Sequence, residues 1–305
     1  MKPKILVIVG PNASGKSALG IKLAKKFNGE IVSADSRQIY RGLDIGSGKV
    51  TKREMLGVAH HMLDVANPKH VFNVSQYQKL AYKIIDDILS RNKLPTIVGG
   101  TGQYISAITQ GLIVPEVKPN PKLRARLEKL TNDKLLKLLK ALDPARARQI
   151  DRHNPRRLVR AIEIAKALGR VPELKSEPRY APVMLGIRPT IHELRFKIHD
   201  RLTRRMSRGM VGEVKKLHKN GLSWKRLESL GLEYRIVANY LRNKLTKKEM
   251  LESIEKENLN YAKRQMTWFK REKSIIWLPG NQVSPNPSLV LRIRSLLRSN
   301  ALSIL

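Results

Sequence analysis

The sequence predicts a doubly wound parallel α/β sheet that carries a small helical insertion domain and a basic helical C-terminal region. Three observations lead there. Short apolar runs alternate with helical patterns through residues 1–113, a proline-punctuated stretch then gives way to helix-forming composition alone, and apolar runs return at 183–187 and 275–278. The 305 residues suffice for a full α/β core and a second, smaller domain, and the 41% hydrophobic content is ordinary for a folded chain.

The first strand, Ile5–Val9, runs into Gly10-Pro11-Asn12-Ala13-Ser14-Gly15-Lys16-Ser17, after which Leu19, Ile21, Leu23 and Ala24 follow at helical spacing. This is G-x-x-x-x-G-K-S in its strand–loop–helix context, so the core is P-loop NTPase-like. Gly10 and Gly15 permit a tight turn whose N–H groups converge on phosphate oxygens, aided by the helix N-terminus behind them. Lys16 is placed to neutralise an outer phosphate, and the Ser17 hydroxyl to reach a Mg²⁺ ion. A glycine turn opening an ordinary βα unit is the bland alternative. The motif fixes a phosphorylated small molecule as one substrate without saying which.

The second strand, Glu30–Ser33, ends in Ala34-Asp35-Ser36-Arg37-Gln38. Carboxyl ends of strands line the ligand crevice of an open α/β sheet, so Asp35 belongs near the phosphate loop. It can ligate metal, accept a proton, or cap the following turn. Asp44–Lys49 is a polar loop that either covers the ligand or is a surface turn. His60 and His61 point to opposite faces of an extended chain, a poor metal pair, which leaves a structural or substrate-contact role. A helix is expected from Val74 to about Leu89. The third strand, Thr96–Val98, ends in Gly99-Gly100-Thr101, without the acid that ordinary P-loop ATPases place at a strand end to hold Mg²⁺. Thr101 offers a hydroxyl there, caps the helix starting at Gly102, or does both.

Pro115, Pro119 and Pro121 mark a boundary. Residues 115–181 form the expected helical insertion, with Leu123, Leu127, Leu130, Leu135, Leu138 and Leu139 as its buried stripe. Arg156 and Arg160 share a helix face, solvated by default and a phosphate-binding ridge given the net charge. The sheet resumes at Val183–Ile187, so the core comprises 1–114 and 182–280, and 281–305 form a tail with a short helix from Ser288. Thr190-x-x-Glu193 opens a helix as a capping box, with Ile191, Leu194, Ile198 and Leu202 inward and Arg195, Arg201, Arg204 and Arg205 elsewhere. Thr246-x-x-Glu249 opens another that runs to about Lys270, and Ile275–Leu278 is a last short strand. In Tyr261–Arg271, Trp268 and Phe269 are expected as core anchors, leaving Lys263, Arg264, Lys270 and Arg271 for phosphates.

Sixty Lys and Arg against 25 Asp and Glu give a net charge of +35. A polyanionic partner follows, nucleic acid foremost, with a lineage-wide basic bias as the alternative. The absence of cysteine excludes disulfides, thiolate metal sites and cysteine nucleophiles, and fits a reducing cytoplasm. No apolar run approaches about 18 residues, and a strand follows the N-terminus at once, so neither a membrane span nor a secretory signal is expected.

In their order along the chain, Gly10–Ser17, Ser33-Ala34-Asp35-Ser36-Arg37-Gln38-Ile39-Tyr40, Asp44–Lys49, His60-His61-Met62-Leu63-Asp64, Gly99–Gly102, Arg157–Ala161 and Tyr261–Phe269 resemble the tRNA dimethylallyltransferase (tRNA isopentenyltransferase) family, from about residue 4 to residue 280. The resemblance implies transfer of a dimethylallyl group from dimethylallyl diphosphate to N6 of adenosine 37 in tRNA, with diphosphate released. It implies that the loop Gly10, Pro11, Asn12, Ala13, Ser14, Gly15, Lys16, Ser17 holds the diphosphate, that Lys16 and a Mg²⁺ cofactor on Ser17 stabilise its departure, and that Asp35 is the general base. Thr101 then contacts the reacting groups, and Arg201 grips the diphosphate from the far side. The implied tRNA contacts are Asp35, Ser36, Arg37, Gln38, Thr101, Arg124, Arg156, Arg157, Arg160, Tyr234, Arg235, Lys263 and Arg264. Ser36 and Gln38 suit the edge of a flipped adenine, and the basic helices clasp the anticodon stem-loop largely by shape. The implied protein is a cytoplasmic monomer.

Two departures stand out. Gly231-Leu232-Glu233-Tyr234-Arg235 carries an acid in the family's short Gly-Tyr element, and Gly102-Gln103 follows Gly-Gly-Thr where bacterial relatives often have Met or Leu. The zinc-finger extension of eukaryotic relatives is missing. Rival readings are an isopentenyltransferase acting on free adenine nucleotides, a small-metabolite P-loop kinase with Arg124 and Arg126 as lid arginines, and a non-catalytic RNA-binding protein on a vestigial nucleotide fold. The first would not need this charge or a C-terminal clasp, and the second would need ATP as donor.

Overall fold

A computed structural model describes residues 2–113, 115, 117–173, 175–282 and 284–298. The chain divides into two compact units, Met1–Gly111 with Pro178–Leu305, and Leu112–Glu177. The first unit contains β1 (Lys4–Val9), α1 (Lys16–Lys26), β2 (Gly29–Ser33), β3 (His60–His61), α2 (Val74–Ser90), β4 (Leu94–Gly99) and α3 (Gly102–Thr109). The second contains α4 (Pro121–Leu127), α5 (Asn132–Leu142), α6 (Pro144–Gln149) and α7 (Pro155–Leu168). The first then resumes with β5 (Ala181–Arg188), α8 (Ile191–Ser207), α9 (Met210–Lys219), α10 (Trp224–Ser229), α11 (Leu232–Leu241), α12 (Lys247–Phe269), β6 (Ile276–Pro279) and α13 (Pro287–Arg298).

All six strands are parallel, in the order β3-β2-β4-β1-β5-β6. Strands covered on both faces need apolar side chains on both, which is why Ile5 through Val9 are all fully buried and read as one unbroken run. From β1 the chain crosses to β2 and β3, returns to fill the gap with β4, then builds outward on the other side with β5 and β6. The strand order therefore reverses at β1, where a ligand crevice is expected. Register levels the strand ends. Val9 pairs with Gly99 and Gly186, and Ser33 pairs with Val98, so Gly10, Asp35 and Thr101 all leave the sheet at one edge.

One face of the sheet packs Leu19, Leu23, Leu289 and Ile293 of α1 and α13; the other packs Tyr77, Ile85, Ile108, Tyr234 and Phe269. The expected tail thus contributes a packed helix, while residues 299–305 and Val283 lie outside the described residues. Both expected capping boxes form: Glu193 N donates to Thr190 Oγ1 at 3.2 Å and Glu249 N to Thr246 Oγ1 at 3.2 Å. Ile191 departs from expectation. It is 49% exposed in the first turn of α8, and the inward stripe is Leu194, Ile198, Leu202 and Arg205.

In the second unit Leu127, Leu135, Leu139, Leu158 and Ile162 make the core, with Leu123 and Leu130 partly buried against it. Leu138 is 40% exposed, not part of the stripe, because one residue along a helix turns about 100° away from Leu139. Glu163 is buried within this unit and receives Arg124 Nη2 at 2.7 Å, Arg160 Nη1 at 2.5 Å and Asn120 N at 2.6 Å. Burial opposes its charge, yet these bonds outweigh it and hold the carboxyl below the usual range.

Glu30 on β2 ties the edge of the sheet in the same way. It is buried and accepts Arg91 Nη1 at 2.5 Å and Nη2 at 2.8 Å, and Lys93 Nζ at 2.7 Å, while His61 Nε2 on β3 lies 2.7 Å away. The Arg91 bonds hold its carboxyl well below the usual range, with those from Lys93 and His61 adding to them and burial opposing. Glu30→Gln should lower unfolding stability at pH 7 by about 2 kcal/mol, since it strips charge from a buried acceptor whose cations are partly exposed. A depressed carboxylate stabilises the fold above its unfolded pKa and loses that contribution as pH falls. The gap between wild type and variant, measured by denaturant unfolding, should therefore be full at pH 7 and narrow below about pH 4.5.

Candidate active site

Ala13 and Gly15 adopt left-handed backbone, φ 58° and 91°, which turns successive N–H groups of the phosphate loop to one side. Lys16 Nζ donates to Pro11 O at 3.0 Å across the loop. The loop is anchored from the far end of the chain. Asn12 N donates to Gln265 Oε1 at 2.7 Å, and Gln265 Nε2 donates to Gly100 O at 2.8 Å, so one buried amide joins the phosphate loop to the turn after β4. Asn12 Nδ2 donates to Asn258 Oδ1 at 2.5 Å. Ser14 Oγ is buried without a partner.

Beside the loop, Asp35 accepts Arg37 N at 2.8 Å and Gln38 N at 3.3 Å through one oxygen, so it caps the turn while facing the crevice with the other. Thr101 is the N-cap residue of α3 by position, but its hydroxyl does not cap. It accepts Ser36 N at 3.0 Å instead, joining the ends of β2 and β4. A Cβ on Gly99 would lie 2.2 Å from Ala34 O, so only glycine allows those two strand ends to approach this closely.

Two guanidiniums face the loop from α8. Arg201 and Arg205 lie one helical turn apart, and a Cβ on Gly48 would sit 2.0 Å from an Nη2 of each. Arg201 Nη2 donates to Gly48 O at 3.3 Å, and Arg205 Nη1 to Glu233 Oε1 at 3.1 Å. Glu233 also accepts Asn258 Nδ2 at 3.4 Å. Asn12, Ala13, Ile198, Arg201, Leu202, Arg205, Ile254 and Asn258 line one small pocket, with the phosphate loop on one wall and the arginines on another. Burial, and then the adjacent Arg205, push Arg201 down to about 9. Burial also pushes the Lys16 ammonium down to about 8, with Arg201 adding to the effect and Asp35 opposing it. Cations held this dry are stabilised by an anion among them.

The loop Asp44–Lys49 is not a loose flap. Glu213 accepts the N–H groups of Asp44, Ile45 and Gly46 at 2.9, 2.7 and 2.9 Å, and Lys49 Nζ bonds Tyr40 O, Asp44 and Asp64 at 2.9, 2.6 and 2.5 Å. Gln38 Nε2 donates to Gly48 O at 3.2 Å. The loop is a strap that seats Gly48 between the arginines. Among the described residues no cluster of three or more His, Asp or Glu side chains could hold a metal ion, and no helix is long and apolar enough to cross a membrane.

Comparison with known proteins decides the family. The IPP transferase family model matches residues 38–272. The chain belongs to that family. It is 41% identical over 283 residues to tRNA dimethylallyltransferase 2 of Citrifermentans bemidjiense, covering 92% of each chain. It is 39% identical to the tRNA dimethylallyltransferase of Caldanaerobacter subterraneus, covering 91% of this chain and 92% of that one. The solved tRNA isopentenylpyrophosphate transferase of Bacillus halodurans superposes with a TM-score of 0.72 at 32% identity, covering 98% and 96% of the two chains. A eukaryotic dimethylallyltransferase solved in the act of modifying tRNA gives 0.78 at 25% identity, covering 98% of this chain and 79% of that one.

Against the residues expected for an IPP transferase, the fold gathers Lys16, Ser17, Asp35, Ser36, Thr101 and Arg201 at one sheet edge. Tyr234 corrects the expectation of an RNA contact. It is fully buried, its hydroxyl donates to Glu213 Oε1 at 2.9 Å and accepts Ser47 N at 3.2 Å, and it serves the strap. The acid that seemed at odds with RNA, Glu233, turns inward to Arg205. Arg124 and Arg160 are engaged by Glu163, while Arg156, Arg157, Arg235, Lys263 and Arg264 are exposed. Phe269 is buried as expected, but Trp268 is 37% exposed and covers Gly102, whose Cβ would lie 2.4 Å from the indole.

Sequence reasoning missed Gln265, Asn258, Glu213 and Tyr261. Burial pushes the Tyr261 phenol up to about 12, with Asp35 adding and Thr101 opposing, so it stays protonated beside both. Gly48→Ala should cost about 1–2 kcal/mol of stability, because φ is +62° and both guanidiniums must move. Titration calorimetry with inorganic diphosphate should show at least tenfold weaker binding, one lost charge-assisted contact being enough for that. Unchanged affinity would show that the strap does not set the arginines.

Proposed function

We propose that this chain transfers a dimethylallyl group from dimethylallyl diphosphate to N6 of adenosine 37 in tRNA and releases diphosphate. The observation that supports it above the others is the convergence of Lys16, Arg201 and Arg205 on the phosphate loop, with Asp35 and Thr101 at the same edge and no acid at the end of β4. An exocyclic amine is a weak nucleophile, so the allylic carbon must gain cationic character as the C–O bond breaks. The electron pair leaves on the diphosphate, and fixed cations around that group are the largest lever available. Asp35 takes the N6 proton as the new C–N bond forms, and the Thr101 hydroxyl holds the neighbouring turn in place.

Mg²⁺ fits the donor set present. This ion binds through one or two protein oxygens plus phosphates, and the exposed Ser17 hydroxyl beside Asp35 offers that set without a dedicated cage. When bound it would add positive charge to the leaving diphosphate. Arg156, Arg157, Arg235, Lys263 and Arg264 give exposed cations for the phosphates of an anticodon stem-loop, within a net charge of +35. The enzyme is then a cytoplasmic monomer on this proposal.

Labelled dimethylallyl diphosphate, offered with unmodified tRNA or AMP, tests the assignment. Label should enter tRNA only; entry into AMP alone, or ATP consumption without transfer, would sink it. Asp35→Ala should abolish transfer while tRNA affinity, read by filter binding, changes less than about twofold, because one small carboxylate contributes little to a phosphate-dominated interface. An equal loss of binding would remove the general-base role.

The lowered Lys16 pKa gives a pH signature. Lys16 is charged below about pH 8 and must take up a proton to meet the diphosphate above it. KM for the donor should therefore be flat below pH 8 and rise up to about tenfold per unit above it, with KM for tRNA following a shallower course. A donor KM independent of pH from 7 to 9.5 would exclude Lys16 as the neutralising cation.

A further inference from the structure

Arg205 carries an observation that the proposed reaction does not use. Its side chain is more than nine-tenths buried, lines the pocket opposite Asn12 and Ala13, and has Nε without a partner. A guanidinium has five N–H donors, and burial with a donor unmatched is costly unless something meets it. Its one ionic partner is Glu233, reached through Nη1. Its Nη2 and that of Arg201 both crowd the same point above Gly48. Two like charges in a dry site repel, so the arrangement persists only because Glu233 and the strap hold it.

The hold is a closed circuit. Asn12 in the phosphate loop donates to Asn258 on α12, Asn258 donates to Glu233 on α11, Glu233 accepts Arg205 on α8, and Gly48 separates Arg205 from Arg201. Every link is a short polar side chain or a backbone atom, so the circuit fixes how far the two guanidiniums stand from the loop. We propose that Arg205 is the second arm of a two-arginine clamp on the donor's terminal phosphate, and that Glu233 and Asn258 are positioning residues that set its reach. A diphosphate bound to the loop presents a terminal phosphate to both guanidiniums. A monophosphate held by the loop does not extend to them, so the clamp selects donors by phosphate length. The inference rests on the donor being a diphosphate ester, and is separable from the identity of the acceptor.

Titration calorimetry of the full chain with inorganic diphosphate, and with orthophosphate as the short comparison, tests it. Arg205→Lys keeps the charge that Glu233 requires but loses the planar fork, so it should fold as wild type by circular dichroism. It should bind diphosphate about tenfold more weakly and orthophosphate within threefold. Arg205→Met with Glu233→Gln removes both charges and should be at least as weak for diphosphate. Wild-type diphosphate affinity in Arg205→Lys, or its return in the double variant, would overturn the clamp and leave Arg205 as a mere counterion of Glu233. If Arg205 governs diphosphate binding while wild type transfers no label to tRNA, the acceptor assignment fails and the clamp stands.

Discussion

The site depends on holding cations together where water is scarce. Lys16, Arg201 and Arg205 stand around one phosphate loop, and like charges at such spacing repel strongly once the dielectric falls. The protein offsets this with few groups. Asp35 faces Lys16, Glu233 meets Arg205, and neutral amides supply the rest: Gln265 fastens the loop to the turn after β4, and Asn258 fastens it to Glu233. Amides suit the task because they fix geometry without adding charge. The remaining imbalance is a poised preference for anions, present before one arrives.

The scaffold makes this possible by bringing distant segments to one edge. The bond from Asn12 to Gln265 spans 253 residues of sequence and that from Ser36 to Thr101 spans 65. Parallel register alone levels Gly10, Asp35 and Thr101. The C-terminal helices then close over that edge, with α12 touching the loop through Asn258 and Gln265 while Lys263 and Arg264, between and beyond them, stay exposed. A single helix thus bears inward residues that fix the phosphate loop and outward cations suited to phosphate, so the proposed acceptor and donor surfaces share a rigid element.

What was legible in the sequence follows from locality. The phosphate loop is a contiguous motif, and buried parallel strands read as apolar runs, so β1, β2, β4 and β5 emerge with ends wrong by one or two residues. Capping boxes are three-residue devices and were equally plain at Thr190 and Thr246. The short helices α9, α10 and α11 were not, since ten or fewer residues carry too little periodicity. Tyr234 shows the converse error. Its place beside basic residues suggested RNA, yet an aromatic ring with a buried hydroxyl is also what a strap anchored by Glu213 requires, and only the fold distinguishes them. Gln265, Asn258 and Glu213 had no signal of their own, because an amide or a carboxylate on an amphipathic helix acquires meaning from a partner far along the chain.

The same constraint explains how a phosphate loop can serve alkyl rather than phosphoryl transfer, on the function proposed here. In an ordinary P-loop ATPase a bond to phosphorus breaks, and an acid at a strand end holds the metal over the transferred group. In the proposed reaction the bond that breaks lies between carbon and oxygen, so the whole diphosphate departs and needs charge along its length. An added carboxylate at the end of β4 would oppose that. Gly99 and Gly100 leave the position without one, Thr101 gives a hydroxyl in its place, and two arginines enter from α8 on the opposite side. The loop is conventional in shape; the cations facing it determine which bond it helps to break.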